Sequence, residues 1–159
     1  MIKHVHGNAI NVKAELLVNA SNGKGWMGGL IGRFIPLKGV AESIHYADPS
    51  IERLAKRESK RLNVKCGDVF HTNAGKLNFP KGILHAVTMN KPGQTSDLGT
   101  IKKCILNISK YCEENSINSV SLPILGTGTG RVPIEDVLKL YHKMLQTHKT
   151  LFYIVHFKR

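Results

Sequence analysis

An α/β fold, a sheet covered by helices on both faces, is predicted by two observations. Short apolar runs alternate with segments of helical periodicity, and two glycine clusters each follow one of those runs, where strand ends lead into helices. With 159 residues, 42% hydrophobic and 21% charged, the chain has the size and composition of one domain with a single sizeable core.

The elements are read in order. Ile2 to His6 forms a first strand, and Glu15 to Asn19 (E-L-L-V-N) is a short apolar run of the kind that makes a buried strand. Pro49 can serve as the first helical residue after Asp48. The I-E-R-L-A-K-R-E-S-K-R that follows reads as an exposed helix with only Ile51, Leu54 and Ala55 inward. Val64 to Thr72 and Ile83 to Met89 read as strands. Apolar positions 98, 101, 105, 108 and 112 keep helical spacing behind the cap candidates Thr95, Ser96 and Asp97, and that helix is expected to end near Asn115. Ser119 to Leu125 is the next strand. Pro133 then opens a helix with Ile134, Val137, Leu138, Tyr141 and Leu145 on one face, and Leu151 to Phe157 closes the chain as a strand.

A net charge of +12 and a pI near 9.8 point to anionic partners, with a solvated basic face as the plain alternative. The charges are spread along the chain apart from a modest cluster at Arg53, Lys56, Arg57, Lys60 and Arg61, and no RNP-type aromatic motif, zinc finger or heptad array accompanies them. Cys66, Cys104 and Cys112 are odd in number and lack a C-x-x-C pair, so neither a disulfide framework nor a cysteine-based zinc site is suggested. The thiols are expected to be buried and reduced. No signal-like opening or membrane-length apolar run occurs, so a cytoplasmic location without membrane contact is expected.

The first glycine cluster, N-A-S-N-G-K-G-W-M-G-G-L-I-G from Asn19 to Gly32, follows the strand L-L-V-N. The second, Gly126-Thr127-Gly128-Thr129-Gly130, follows L-P-I-L and precedes a helix. Glycines let the backbone approach a ligand, so successive N–H groups can converge on an anion, and two such loops could grip a diphosphate. One cluster alone is a weak signal that an ordinary turn would explain equally well. No G-x-x-x-x-G-K-[ST] is present, and G-T-G-T-G lacks both the G-x-G-x-x-G spacing and the downstream acid of a dinucleotide site.

From Gly7 to Phe157 the chain resembles a macro domain, the ADP-ribose-binding α/β/α module. The resemblance is carried by Gly7-Asn8-Ala9-Ile10 where the family commonly has G-D-I, and by Leu17-Val18-Asn19-Ala20-Ser21-Asn22, similar to its V-N-A-A-N. Gly67-Asp68-Val69-Phe70 with Thr72, then Ile83-Leu84-His85-Ala86-Val87, similar to I-H-x-V, and finally Pro123-Ile124-Leu125-Gly126-Thr127-Gly128 complete it in the same order. It implies a three-layer α/β/α fold with a mixed central sheet and no cofactor.

The resemblance also implies a site. Backbone N–H groups of Gly28, Gly29 and Leu30 would hold the distal ribose and diphosphate from one side, and Gly126, Thr127, Gly128, Thr129 and Gly130 would cover the other. Asn8 stands where the family's aspartate accepts from the adenine amino group. It sits with Ile10 beside it and lacks the charge-assisted bond. Phe157 would lie against adenine, and Asn22 would contact the distal ribose. Both familiar catalytic acids are missing: Ile31 occupies the place of one and Gly130 or its neighbour the other.

The expected function is therefore binding of ADP-ribose, a derivative, or an ADP-ribosylated protein by a monomer. The alternative is hydrolysis of ADP-ribosyl protein or O-acetyl-ADP-ribose by substrate-assisted water attack, with Asn22 and Lys24 as the remaining catalytic candidates. A weaker alternative is RNA or poly-ADP-ribose binding on the basic surface. His85, in an apolar strand, reads as a satisfied core histidine, Asp68 as a turn residue, and Trp26 as either a pocket wall or a loop staple. His4, His6, His45 and His71 show no spacing that demands a metal.

Overall fold

A computed structural model describes residues 1–29 and 39–158. Its strands are β1 (Ile2–Gly7), β2 (Leu16–Asn22), β3 (Val69–Thr72), β4 (Ile83–Met89), β5 (Ser119–Pro123) and β6 (Leu151–Phe157). Among the described residues the α-helices are α1 (Val40–Ala47), α2 (Ser50–Leu62), α3 (Leu98–Glu114) and α4 (Ile134–Leu145), and a 3-10 turn covers Ala9–Asn11. The sheet order is β1-β6-β5-β2-β4-β3. All neighbours are parallel except β3 against β4, so the sheet is mixed as expected.

Two apolar layers sandwich the sheet, because alternate residues of a strand point to opposite faces. Leu16 and Val18 of β2 meet Ile101, Ile105 and Ile108 of α3 and Val137 and Tyr141 of α4 on one side. Leu17 between them joins Ile44 of α1 and Ile51 and Ala55 of α2 on the other. Every strand in this arrangement that is parallel on both sides delivers its carboxyl end to the same edge, which is where loops and helix N-termini collect.

Local chemistry explains the boundaries. Asp97 caps α3 by accepting from the Thr100 N–H (2.9 Å) and hydroxyl (3.1 Å), a cap that contributes about 1 kcal/mol. Tyr141 is fully buried, and its hydroxyl donates to Pro123 O (2.7 Å) while accepting from Leu125 N–H (2.9 Å), which ties α4 to the end of β5.

Several expectations need correction. Helix α1 is absent from the sequence reading; it is short, and only Ile44 and His45 are buried on it. The strand expected from Val64 begins at Val69, because Lys65 to Asp68 form a turn in which the Asp68 carboxylate accepts from Lys65 N–H (2.8 Å). Asp68 thus plays its expected part. The strand expected to Leu125 ends at Pro123, whereas β2 continues to Asn22. Ile134 is exposed at the start of α4 rather than inward, and Cys66 is only half-buried while Cys104 and Cys112 are buried. On α2, Glu52 and Ser59 are buried beside Ile51 and Ala55, so the helix hides a carboxylate that the amphipathic pattern had assigned to solvent.

Candidate functional site

A cleft of about 870 Å³ opens at the carboxyl edge of the sheet. Ser21 and Asn22 of β2, Thr88 and Met89 of β4, Pro123 of β5 and His156 and Phe157 of β6 contribute to its walls, with the Gly126–Gly130 loop and the first turn of α1, residues 39–42, closing over them. The β2–β4 register shifts between Ser21 and Asn22, so β2 departs from its partner where it reaches the cleft.

The second glycine loop is built to present donors. Gly126 has φ of +73°, and a Cβ there would lie 2.6 Å from Ile101 Cδ1, so only glycine lets the chain turn against α3. The carbonyls of Gly126 and Gly128 accept from Val132 (2.9 Å) and Arg131 (3.1 Å), the carbonyl of Gly130 accepts from Ser96 (2.9 Å), and the Thr127 hydroxyl donates to Ile124 O (2.8 Å). The three glycine carbonyls are spoken for. The N–H groups of residues 126 to 130 find no acceptor among the described residues. Such a run of unpaired donors beside a cleft, with the N-terminus of α1 opposite, favours an anion.

The first loop is organised differently. Asn22 accepts at Oδ1 from the N–H groups of Lys24 (3.0 Å) and Trp26 (3.2 Å), and its Nδ2 donates to Trp26 O (2.9 Å). Met27 and Gly29 both donate their N–H to Glu52 Oε2 (2.7 and 3.1 Å), and His45 Nε2, which must carry the proton, donates to Gly29 O (2.6 Å). Lys56 completes the network with an ion pair to Glu52 Oε1 at 2.7 Å. Burial pushes the Glu52 carboxyl up, but the hydrogen bonds from Lys56, Gly29 and Met27 outweigh it and hold the group below its ordinary range. The carboxylate is a built-in anion for this loop.

These contacts place the expected site residues. Asn22, Gly126, Thr127, Gly128, Thr129, Gly130 and Phe157 all line the cleft. The expectation that Gly29 offers its N–H to a ligand is corrected: Glu52 already takes it. The Gly28 N–H has no acceptor among the described residues, while Leu30 and Ile31 lie outside them. Asn8 and Ile10 do not line the cleft among the described residues. Ala9 between them does. The Asn8 amide is engaged at both ends, accepting from Ile10 N–H (3.3 Å) and donating to Ser43 Oγ (3.0 Å).

Of the two catalytic candidates, Lys24 is exposed and away from the lining. Asn22 spends its carbonyl oxygen on the loop, which makes it a positioning residue for Trp26. Trp26 lines the cleft and is 39% exposed, so it is a wall rather than a core staple.

His85 is fully buried away from the cleft. It accepts from Asn19 Nδ2 at Nδ1 (3.0 Å), its Nε2 proton faces Thr72 Oγ1 (2.9 Å), and it stacks on Phe70 at 4.7 Å. Desolvation pulls its pKa down to about 3, so it is a neutral core histidine as read.

Sequence reasoning missed Glu42. It supplies the only carboxyl group among the described lining residues, and burial raises its pKa. The resemblance points to acids in the glycine loops, and nothing in V-A-E-S-I-H-Y-A marks this glutamate until α1 is known to start at the cleft.

The geometry meets its relatives here. A family model described as Macro domain matches residues 18–141. The chain belongs to the Macro domain family. An uncharacterized protein of Aquifex aeolicus is 31% identical over 153 residues, covering 91% of this chain and 86% of that protein. A DNA ADP-ribosyl glycohydrolase of Mycobacterium tuberculosis is 30% identical over 137 residues, covering 86% of this macro domain but only 36% of the glycohydrolase. Among solved structures, the macrodomain of Mycobacterium tuberculosis DarG aligns with a TM-score of 0.83 at 28% identity, covering 98% of this chain and 97% of that one. The three-layer α/β/α arrangement is that of the family.

Proposed function

We propose that this macro domain binds ADP-ribose in the cleft, with the diphosphate on the Gly126–Gly130 loop and the N-terminus of α1. The observation that carries the reading is the run of N–H groups from residue 126 to 130 without internal acceptors. The cleft is of the size that encloses a small ligand. Phe157 and Ala9 would face adenine, with Asn8 and Ile10 supporting Ala9 from behind. The distal ribose would reach Asn22, through the Nδ2 proton that the loop leaves over, and Trp26.

Calorimetric titration with ADP-ribose, with AMP as control and at two salt concentrations, tests the reading. Micromolar ADP-ribose binding with much weaker AMP binding is expected. Absence of binding at millimolar ADP-ribose would sink it, and affinity that collapses with salt would point instead to RNA or poly-ADP-ribose on the basic surface.

A second reading, hydrolysis, is favoured by Glu42 and by the glycohydrolase relatives. A carboxyl group whose pKa is raised by burial, placed in a cleft, is suited to hand a proton to a leaving group or to take one from water. Cleavage would break the bond from the distal ribose to its carrier: water supplies the new hydroxyl at the ribose carbon and the carrier leaves with the proton. The named substrate class of those relatives, ADP-ribosylated DNA, is the first to assay. Glu42→Gln keeps the shape and removes the proton chemistry, so turnover should fall by about 10²-fold or more with ADP-ribose binding retained. Unchanged turnover in Glu42→Gln would assign no chemistry to this residue.

A further inference from the structure

We propose that Trp26 and the basic face of α2 form one docking surface for single-stranded DNA, with a base stacked on the indole at the cleft mouth and phosphates following the helix. The inference rests on the ADP-ribose reading of the cleft, since the nucleic acid is what the distal ribose would carry.

Trp26 is the only tryptophan in the chain. An indole that is 39% exposed gives up much of the burial that makes tryptophan stabilising in a core. Yet its backbone is pinned. Asn22 holds its backbone N–H and carbonyl (3.2 and 2.9 Å), Glu52 holds the next N–H (2.7 Å), and a Cβ on Gly29 would lie 3.2 Å from its Nε1. An aromatic face turned partly to solvent on a pinned backbone is a ready stacking platform, and every nucleobase has a π face to match it.

The loop that carries Trp26 lands on α2. A Cβ at Gly25 would lie 2.6 Å from the Ala55 carbonyl carbon and 2.7 Å from Lys56 N. From that point Arg53, Lys56, Arg57 and Lys60 recur at i, i+3, i+4 and i+7, which puts them on one helix face, and all four are exposed. Lys56 pairs with Glu52 and Arg57 lies 3.6 Å from Glu58, whereas Arg53 and Lys60 pair with no carboxylate among the described residues. The stripe runs about 10 Å along the axis. Two unpaired cations beside a stacking ring suit a polyanion with unstacked bases: a duplex hides its base faces, and an ordinary peptide offers no phosphates. The name of the glycohydrolase relatives selects DNA over RNA.

The test uses the sole tryptophan as its own reporter. Stopped-flow amplitudes, read before any turnover, are compared for ADP-ribose and for a single-stranded deoxyoligonucleotide carrying one ADP-ribose on a base. The same oligonucleotide as RNA and an ADP-ribosylated peptide serve as alternatives. The modified DNA should quench Trp26 and bind about tenfold tighter than ADP-ribose. By anisotropy of a labelled oligonucleotide, Trp26→Ala should bring that ratio close to one and Trp26→Phe should keep most of it. Neutralising about two phosphates predicts a slope of log affinity on log salt near −1.4, which Arg53→Glu with Lys60→Glu should flatten. Modified DNA that binds no tighter than ADP-ribose, or a peptide or RNA that gains as much, would overturn the proposal while leaving the cleft reading standing. Failure of ADP-ribose itself to bind would remove both.

Discussion

The two glycine loops look alike in composition and behave as opposites. In the first, Gly23, Lys24, Gly25, Trp26, Met27 and Gly29 all donate their N–H groups inward, to Met89 O, to Asn22 or to Glu52. In the second, residues 126 to 130 donate to nothing among the described residues. Glycine content therefore does not define an anion site. What decides is whether the protein supplies its own acceptor, as Glu52 does for the first loop and no described residue does for the second. The first loop shapes the cleft and holds Trp26, while the second leaves its donors free for the diphosphate that we propose it binds.

Removing the internal acceptor is the strongest way to break this contrast. Glu52→Ala would strand the Met27 and Gly29 donors and leave Lys56 without its partner. Because each shielded donor left without an acceptor costs about 1–3 kcal/mol, while the half-exposed Lys56 returns to solvent at little cost, chemical denaturation should show a loss of about 3 kcal/mol from the two backbone groups. Glu52→Gln keeps one acceptor oxygen and should lose less. A Glu52→Ala protein as stable as wild type would mean that the loop does not depend on its built-in anion.

Gly25→Ala tests the same loop from its backbone. Gly25 has φ of +68°, and its Cβ would press on the Ala55 carbonyl, so strain and clash together should cost about 1–3 kcal/mol, again read by denaturant titration. Binding of ADP-ribose should suffer less than stability, because the diphosphate is assigned to the other loop.

The contrast between the loops also shows where sequence reading reaches its limit. Period and punctuation sufficed for β4, an apolar run buried nearly throughout, for α3 with its Asp97 cap and one buried face, and for β6, since each has a clean boundary. The glycine clusters were legible as loops at strand ends, and Asn22, the second loop and Phe157 were legible as a group that meets in one cleft. The partners of those loops were not. Glu52 sits in a run of charged residues with helical spacing and looks solvated; only the landing of residues 25–29 on α2 buries it. Glu42 is hidden for a related reason, because its role depends on α1 beginning at the cleft. Both are long-range facts about which backbone groups lack partners, and residue patterns do not encode them locally.

Acid sharpens the comparison further, since β2 delivers the first loop and rests on His85 through Asn19. Folded His85 stays neutral down to about 3, whereas unfolded histidine takes a proton below its ordinary value of 6.5. Between those limits the unfolded state binds more protons, so stability falls as pH falls, on the order of 1 kcal/mol per pH unit. Glu52, Asp48 and Glu15, all with lowered pKa, add losses of the same sign at the acid end. Comparing denaturation curves of wild type and His85→Gln from pH 7 to pH 4 isolates the histidine, and the variant should show the shallower slope.

The smallest change in stability belongs to Gly128→Ala, and it separates the loops most cleanly. A Cβ at Gly128 meets nothing within 4 Å, and the backbone there is not left-handed, so neither clash nor strain opposes it. Stability should stay within about 0.5 kcal/mol of wild type. The same methyl group, however, would project from the middle of the unpaired N–H run, where a diphosphate must come within hydrogen-bond distance of the backbone. If that loop holds the anion, titration calorimetry should show ADP-ribose affinity reduced by about tenfold in a protein that melts like wild type, equivalent to losing about one good hydrogen bond. Equal affinity would mean that the ligand rests elsewhere in the cleft, with the N-terminus of α1 as the next donor set to test.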